Sequence, residues 1–212
     1  MKILHTALVI ATIGLFTSCT VLTPSGPNVP LFKDRGEKMV NANLIIGGSA
    51  VGGEVKGAVA TSDHFYLGGN VSAVSFIDGG SGFMTEVGAG GFGGIGKEGI
   101  FDMSGGIGYG SAFGDRQLKA YLQPAIGWRR ERIEVAGGIK ATYLNAEGAS
   151  FEGEVLTDNL ILEPFLIGRF GGEKTKFQVG FNYPTLIASS DGFAIPVMNV
   201  TLGVIFRFGQ LK

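Results

Sequence analysis

The stretch Val200–Phe208, "VTLGVIFRF", poses the choice between two folds. Taken in alternation, Val200, Leu202, Val204, Phe206 and Phe208 form one wholly apolar face, while Thr201, Gly203 and Arg207 form the other with Ile205 among them. A period of two is that of a β-strand. A soluble β-protein would turn the apolar face inward to a core. A membrane barrel would turn it outward to lipid and keep small and charged side chains in its lumen. Alternation does not choose between them, so the rest of the chain has to.

Nine further runs alternate in the same way between short polar or Gly-rich breaks, with no convincing helix. In the first half Val40, Ala42, Leu44 and Ile46 oppose Asn41 and Asn43; Val51, Val55 and Val59 oppose Glu54 and Lys56; Phe65, Leu67, Val71 and Ala73 oppose Asn70 and Ser72. Phe83, Val87 and Ala89 face away from Glu86, and Phe101, Met103, Ile107 and Tyr109 from Asp102 and Ser104. The second half is cleaner. Leu118, Ala120, Leu122, Pro124, Ile126 and Trp128 oppose Gln117, Lys119, Tyr121, Gln123 and Arg129. Ile133, Val135, Ile139 and Tyr143 oppose Arg132, Glu134, Lys140 and Thr142; Leu160, Leu162, Leu166 and Phe170 oppose Glu163 and Arg169; Phe177, Val179, Phe181 and Tyr183 oppose Lys176, Gln178 and Asn182. Pro124 and Pro164 each lack a ladder donor and are expected to need a local bulge.

Three features favour lipid. The runs are about nine to thirteen residues long, longer than an ordinary strand and close to what a tilted membrane strand needs. Aromatic residues gather at the run ends (Phe65, Phe76, Phe83, Phe101, Tyr109, Trp128, Tyr143, Phe170, Tyr183 and Phe208), as interfacial girdles require. Alternate connections are tight ("TSDH", "GKEG", "RRE", "GGEK"), whereas Asn145–Asn159 and "ASSDG" read as longer loops on the opposite side. The expectation is an all-β fold: an antiparallel up-and-down transmembrane β-barrel of about ten strands. Its lumen would hold a mixed charge network including Lys119, Arg132, Glu134, Lys140, Glu163, Arg169 and Lys176, paired so as to leave little or no open channel.

Composition agrees. The 212 residues contain 37 glycines but only 7 prolines, which excludes collagen, and 45% hydrophobic residues against 17% charged, which supplies an apolar surface. A net charge of −1 gives no hint of nucleic acid, and none is expected as a partner.

The N-terminus reads as an address. Lys2 precedes an apolar run from about Leu8 to Phe16 that is too short to span a bilayer and stands where an export signal belongs. "FTSC", Phe16–Cys19, resembles the bacterial lipobox, with Phe16 in place of the usual Leu. Cys19 is the only cysteine, with no partner for a disulfide and no companions for a metal site. The expected organisation is a lipoprotein signal peptide over 1–18, a lipidated Pro-rich linker over 19–38 containing Pro24, Pro27 and Pro30, and a barrel over 39–212. Apart from the covalent lipid on Cys19 no cofactor is expected. The lipid anchor is placed on the periplasmic side of the outer membrane of a Gram-negative bacterium.

Several motifs suggest chemistry and have plainer readings. "GAGGFG", Gly88–Gly93, fits a dinucleotide fingerprint, but that motif needs a strand before it and a helix after it, and here it lies inside one strand run. Ser62, Asp63 and His64 are neighbours in a tight turn, where Ser and Asp are ordinary turn formers and side chains point apart. Glu147, Glu152, Glu154 and Asp158 form an acidic loop without the spacing of a Ca²⁺ loop. No catalytic or metal-ligating residue is assigned.

"PNVPLFKDRGE", Pro27–Glu37, resembles a segment of small Bacteroidota lipoproteins in which a lipobox, a "PNVPL"-type stretch and a charged patch precede a Gly-rich outer-membrane barrel. "VATSDHFYLGGN", "QPAIGWRRERIEVAGGIKATYL" and "LEPFLIGRFGGEKTKFQVGFNY" are similar to hairpins of that group. The resemblance implies fold and address and brings no catalytic residue with it. Thr201, Gly203, Phe206 and Phe208 match the outer-membrane assembly signal, which implies the barrel-assembly machinery as a partner besides outer-membrane lipid and a larger envelope complex. The role expected is structural, interacting or accessory, without catalysis. A barrel enzyme acting on envelope lipids and a soluble periplasmic ligand-binding lipoprotein are the alternatives.

Overall fold

The computed structural model describes residues 25–48, 50–77, 79–150, 153–189 and 198–209, with only the backbone at 148–150, 153–157 and 189. The expected signal peptide, Cys19 and the linker up to residue 24 lie outside the described residues. The strands are β1 (Lys38–Ile46), β2 (Ala50–Ala60), β3 (Phe65–Phe76), β4 (Ser81–Ile95), β5 (Gly99–Ala112), β6 (Asp115–Arg129), β7 (Ile133–Ser150), β8 (Gly153–Gly171), β9 (Thr175–Asn182), β10 (Thr185–Ser189) and β11 (Asn199–Phe208).

Each strand from β1 to β8 pairs antiparallel with the next; β9 pairs with β11, and β11 closes on β1 from Lys38↔Phe208 to Ile46↔Val200. Phe165↔Asn182 and Leu162↔Thr185 continue one register along β8. β9 and β10 therefore occupy one strand position, interrupted at Tyr183–Pro184, where proline has no N–H to donate. The result is a closed ten-position antiparallel barrel, as the alternating runs predict. Closure leaves no sheet edge to be solvated in a bilayer.

The inward face is polar and the outward face apolar. Val55, Val71, Val87, Ile107, Leu118, Ile126, Leu166 and Phe177 are each more than half exposed on the outside. Among the described side chains of the strands, outward charges are confined to Lys38, Arg116, Glu147 and Asp158, all toward strand ends, so a belt free of charge surrounds the barrel. In water such a surface would be a very large apolar patch; in a bilayer it is the solvated face. Phe65, Phe101, Trp128, Phe170 and Phe208 stand at one end of the belt, and Phe83, Tyr109, Tyr143 and Tyr183 toward the other. Phe76 departs from the girdle expectation: its side chain is buried at the mouth of the lumen, stacked on Phe113 at 4.2 Å.

Two other expectations are corrected. Neither Pro124 nor Pro164 forces a bulge. Pairing of β6 with β7 lapses between Leu122↔Ala141 and Ala125↔Gly138 and resumes in register, and Pro164 stays opposite Ile139. Each proline simply leaves a bond unmade, and the bulge lies between Leu186 and Ala188. The supposed loop Asn145–Asn159 is mostly strand, since β7 and β8 stay paired out to Ser150↔Gly153. The barrel thus has a turn end, with Thr61–His64, Gly96–Glu98, Arg130–Arg132 and Gly172–Lys174, and a hairpin end beyond which β7 and β8 project.

Candidate functional site: the occupied lumen

The segment expected to be an extramembrane tether lies, from Ser25 to Phe32, inside the barrel. Ser25, Val29, Leu31 and Phe32 are buried, the last three at 1% exposure or less. From Gly36, whose N–H donates to the Ala60 carbonyl at the turn end, the chain climbs the lumen. Its partners on β6 mark the climb. Arg129 donates to the Leu31 carbonyl (2.9 Å), Gln123 both donates to the Asn28 carbonyl (2.8 Å) and accepts from its N–H (3.3 Å), and Lys119 reaches the Ser25 hydroxyl. On β2, Lys56 donates to the Pro27 carbonyl (2.9 Å) and Glu54 accepts from the Gly26 N–H (3.0 Å).

The segment is held chiefly by its backbone. Arg169 donates to the Val29 carbonyl (2.7 Å) and Arg207 to that of Pro30 (2.8 Å), so cationic side chains hold four carbonyls between Pro27 and Leu31. An extended proline-rich stretch makes no internal backbone bonds and leaves those carbonyls free to accept. Leu31 takes a φ of 54°, a left-handed conformation unfavourable for a branched side chain, and the surrounding contacts hold it there. Phe32 packs edge-on against Tyr66 (5.8 Å) and Phe92 (6.0 Å). Ala58, Ala60, Ala125 and Ala136 point inward around this cluster and leave room for it.

The charges form two tiers. Toward the turn end Glu134 binds Arg207 (2.8 Å), Arg169 (3.2 Å) and Arg129 (3.5 Å), and Glu37 binds Arg129 (2.6 Å) and Arg207 (3.7 Å). Toward the hairpin end Glu86 pairs with Lys119, with Lys140 at 3.7 Å, and accepts from Ser25; Glu54 pairs with Lys56. Glu163 meets Thr142 (3.5 Å) and Asn182 (3.3 Å), and Asp102 accepts from Tyr66 (2.9 Å). Lys119, Glu134, Lys140, Glu163, Arg169 and Lys176 of the anticipated network are all buried, Lys176 near the turn mouth against the Glu131 carbonyl. Arg132 is not among them: it is exposed in the β7-side turn, where its carbonyl accepts from Gly171, because the inward parity of β7 begins at Glu134.

Inward glycines make the space these groups use. A Cβ at Gly108 would stand 3.0 Å from Glu86 Cγ and 3.1 Å from Lys119 Cγ, and one at Gly106 would stand 2.9 Å from the Tyr121 ring. What is left between Asn28, Asn70, Ser104 and Tyr121 is about 10 Å³, room for about one water. At the turn end the lumen widens into a vestibule of about 610 Å³ lined by Lys33, Lys97, Trp128, Arg130 and Glu173 and floored by Arg129 and Glu134.

The terminal residues Thr201 and Gly203 face the lumen and Phe206 and Phe208 the outside. Ser62, Asp63 and His64 are all exposed in the turn, and "GAGGFG" runs within β4 with no helix after it. Asp158 accepts from Tyr143 (2.7 Å) and Asn145 (2.9 Å) on the outer surface, while the side chains of Glu152 and Glu154 lie outside those described. Sequence reasoning missed Glu37 and the whole of Ser25–Phe32. The available signal was the apolar "VPLF" in a stretch otherwise composed like a linker.

No family model matches this chain, and no curated protein matches it. Among solved structures it is similar to the KdgM porin (11% identity, covering 80% of this chain and 99% of that one, TM-score 0.42), the outer membrane protease OmpT from Escherichia coli (10%, 87% and 100%, 0.41) and the N-terminal β-barrel domain of Pseudomonas aeruginosa OprF (13%, 82% and 99%, 0.38).

Proposed function

We propose that this chain is a lipid-anchored outer-membrane barrel of a Gram-negative bacterium, of the Bacteroidota type its motifs resemble, with a non-enzymatic structural, interacting or accessory role. Cys19 carries the lipid, and the barrel-assembly machinery and a larger envelope complex are its partners. The observation that supports this reading above the others is the filled lumen. A porin needs a water path and a barrel enzyme needs converging groups open to substrate. Here Arg129, Arg169, Arg207 and Glu134 at the core of the lumen bind one another and Ser25–Phe32. The lipobox-like "FTSC" supports the anchor.

The test is reconstitution of the full chain in planar bilayers. The expected record has no channel steps; steps of a porin's size would overturn the reading. Metabolic labelling with a fatty acid, lost in Cys19→Ala, checks the anchor.

A further inference from the structure

The path of the N-terminal segment has a direction, and from it we infer that the lumen is the route by which the chain's own N-terminus crosses the membrane. On this route the chain ahead of Ser25 leaves by the hairpin-end mouth, the cell-surface side, and a lipid on Cys19 is held in the outer leaflet, in place of the periplasmic anchor expected from the sequence. This deepens the anchor reading and rests on it for the lipid alone.

The climb is monotonic on two strands. As the segment runs from Leu31 to Asn28 to Ser25, its partner on β6 steps from Arg129 to Gln123 to Lys119. On β2, Gly36, Pro27 and Gly26 meet Ala60, Lys56 and Glu54 in turn. Ser25 thus stands at the level of Lys119, four residues from Asp115 at the hairpin end of β6 and ten from Arg129 at the turn end. With about 3.3 Å per residue and a tilt of about 35–45°, these are heights of about 10 and about 25 Å. Cys19 lies six residues before Ser25, a reach of about 20 Å. Six residues therefore reach the hairpin mouth and fall short of the turn mouth. The way back is also closed, because Val29, Leu31 and Phe32 fill the lower lumen. The hairpin end is the outer one because β7 and β8 project there, whereas the opposite turns are tight.

Single cysteines read the route in the full chain. A lipidated Cys19 has no free thiol, so in Val21→Cys the new residue is the one reactive thiol, and the parent chain is the blank. An impermeant maleimide is applied to intact cells and to cells with a permeabilised outer membrane, with Gly153→Cys reporting the hairpin end and Ser62→Cys the turn end. Val21→Cys is expected to label on intact cells with Gly153→Cys and to lose all later labelling once intact cells are blocked. Labelling that follows Ser62→Cys, or none even after permeabilisation, overturns the route. Heat-modifiable gel mobility shows that each variant is folded, and Thr23→Cys replaces Val21→Cys if that one is not. The mass of the N-terminal peptide reports the lipid separately: an unmodified Cys19 sinks the anchor and leaves the route standing.

Discussion

The two tiers of the lumen solve one problem with different side chains. Toward the turn end, arginines bind Glu134 and Glu37 and also donate to the Val29, Pro30 and Leu31 carbonyls. The planar guanidinium has five donors in a fixed fork, so one side chain can serve a carboxylate and a carbonyl together. Toward the hairpin end, Lys119 and Lys140 surround Glu86, and Lys119 shares Ser25 with it. An ammonium is a compact point charge, and that tier makes fewer carbonyl contacts, set among glycines with Lys140 over the Tyr121 ring rather than around an aromatic cluster. Buried charge is tolerated where each group has several partners. The tier with more shared partners should be the harder to disturb without damage.

The comparison can be broken most severely by removing what both tiers hold. Deletion of Ser25–Phe32 should leave three arginines and Lys56 without their carbonyl acceptors and turn a silent barrel into one with conducting steps in planar bilayers. A deletion barrel that folds and stays silent would show that the charge network alone seals the lumen. Next comes Glu134→Gln, which strips three guanidiniums of a shared carboxylate at zero exposure. Breaking a buried ion pair from one side costs about 3–5 kcal/mol, to be read as a lowered urea midpoint in lipid vesicles. Glu86→Gln should lower the midpoint less, because two ammonium groups rather than three guanidiniums lose the carboxylate and Lys119 keeps the Ser25 hydroxyl. Equal losses in the two variants would remove the distinction between the tiers.

The smallest effect lies outside the lumen. In the turn, Glu98 accepts from Arg130 at 2.7 and 2.8 Å, and Arg130 lies over the Trp128 ring at 4.8 Å. The hydrogen bond from Arg130 holds the Glu98 carboxyl below its ordinary value of 4.5. A carboxylate whose folded pKa is depressed stabilises above the unfolded value and loses that contribution as pH falls through the folded one. Glu98→Gln should therefore leave the urea midpoint unchanged within error at pH 7, and any difference from the parent should vanish on acidification below about 4.5. A large loss at neutral pH would mean that the turn anchors the barrel.

The barrel was legible in the sequence because a bilayer imposes one simple rule. Every outward residue meets the same solvent, so Leu118, Ala120, Leu122, Pro124 and Ile126 follow one another at period two without regard to distant partners. Inward residues obey no such rule. The alternation identified Arg169 and Arg207 as lumenal but said nothing of what they would grip in the N-terminal segment, because their partners there are main-chain carbonyls that carry no residue identity. "VPLF" was illegible for a related reason: prolines at short spacing look like a tether, and three apolar residues are too few to show a period. The inward alanines at 58, 60, 125 and 136 were the complementary trace of Phe32 and Leu31, but their smallness has meaning only once something is known to fill the space. Arg132 was misplaced because parity counts on past a strand end, whereas the chain turns. The hairpin of β7 and β8 was taken for a loop because small and acidic residues there dilute the alternation.

The seam between β1 and β11 joins the two ends of the barrel, with Lys38 opposite Phe208 and Ile46 opposite Val200. It is the most non-local pairing in the ring, and such contacts carry the greatest loop-closure cost and form slowly. Ser25–Phe32 lies just ahead of β1 in the chain and is hemmed in by residues from seven strands, β2, β3, β4, β6, β7, β8 and β11. In the closed ring the strip stands as a mandrel stands in a coil: the sheet encircles a piece of its own chain, and Arg169 and Arg207 grip its carbonyls. A ring with no edge offers that strip no way out sideways, so it can leave only along the barrel axis.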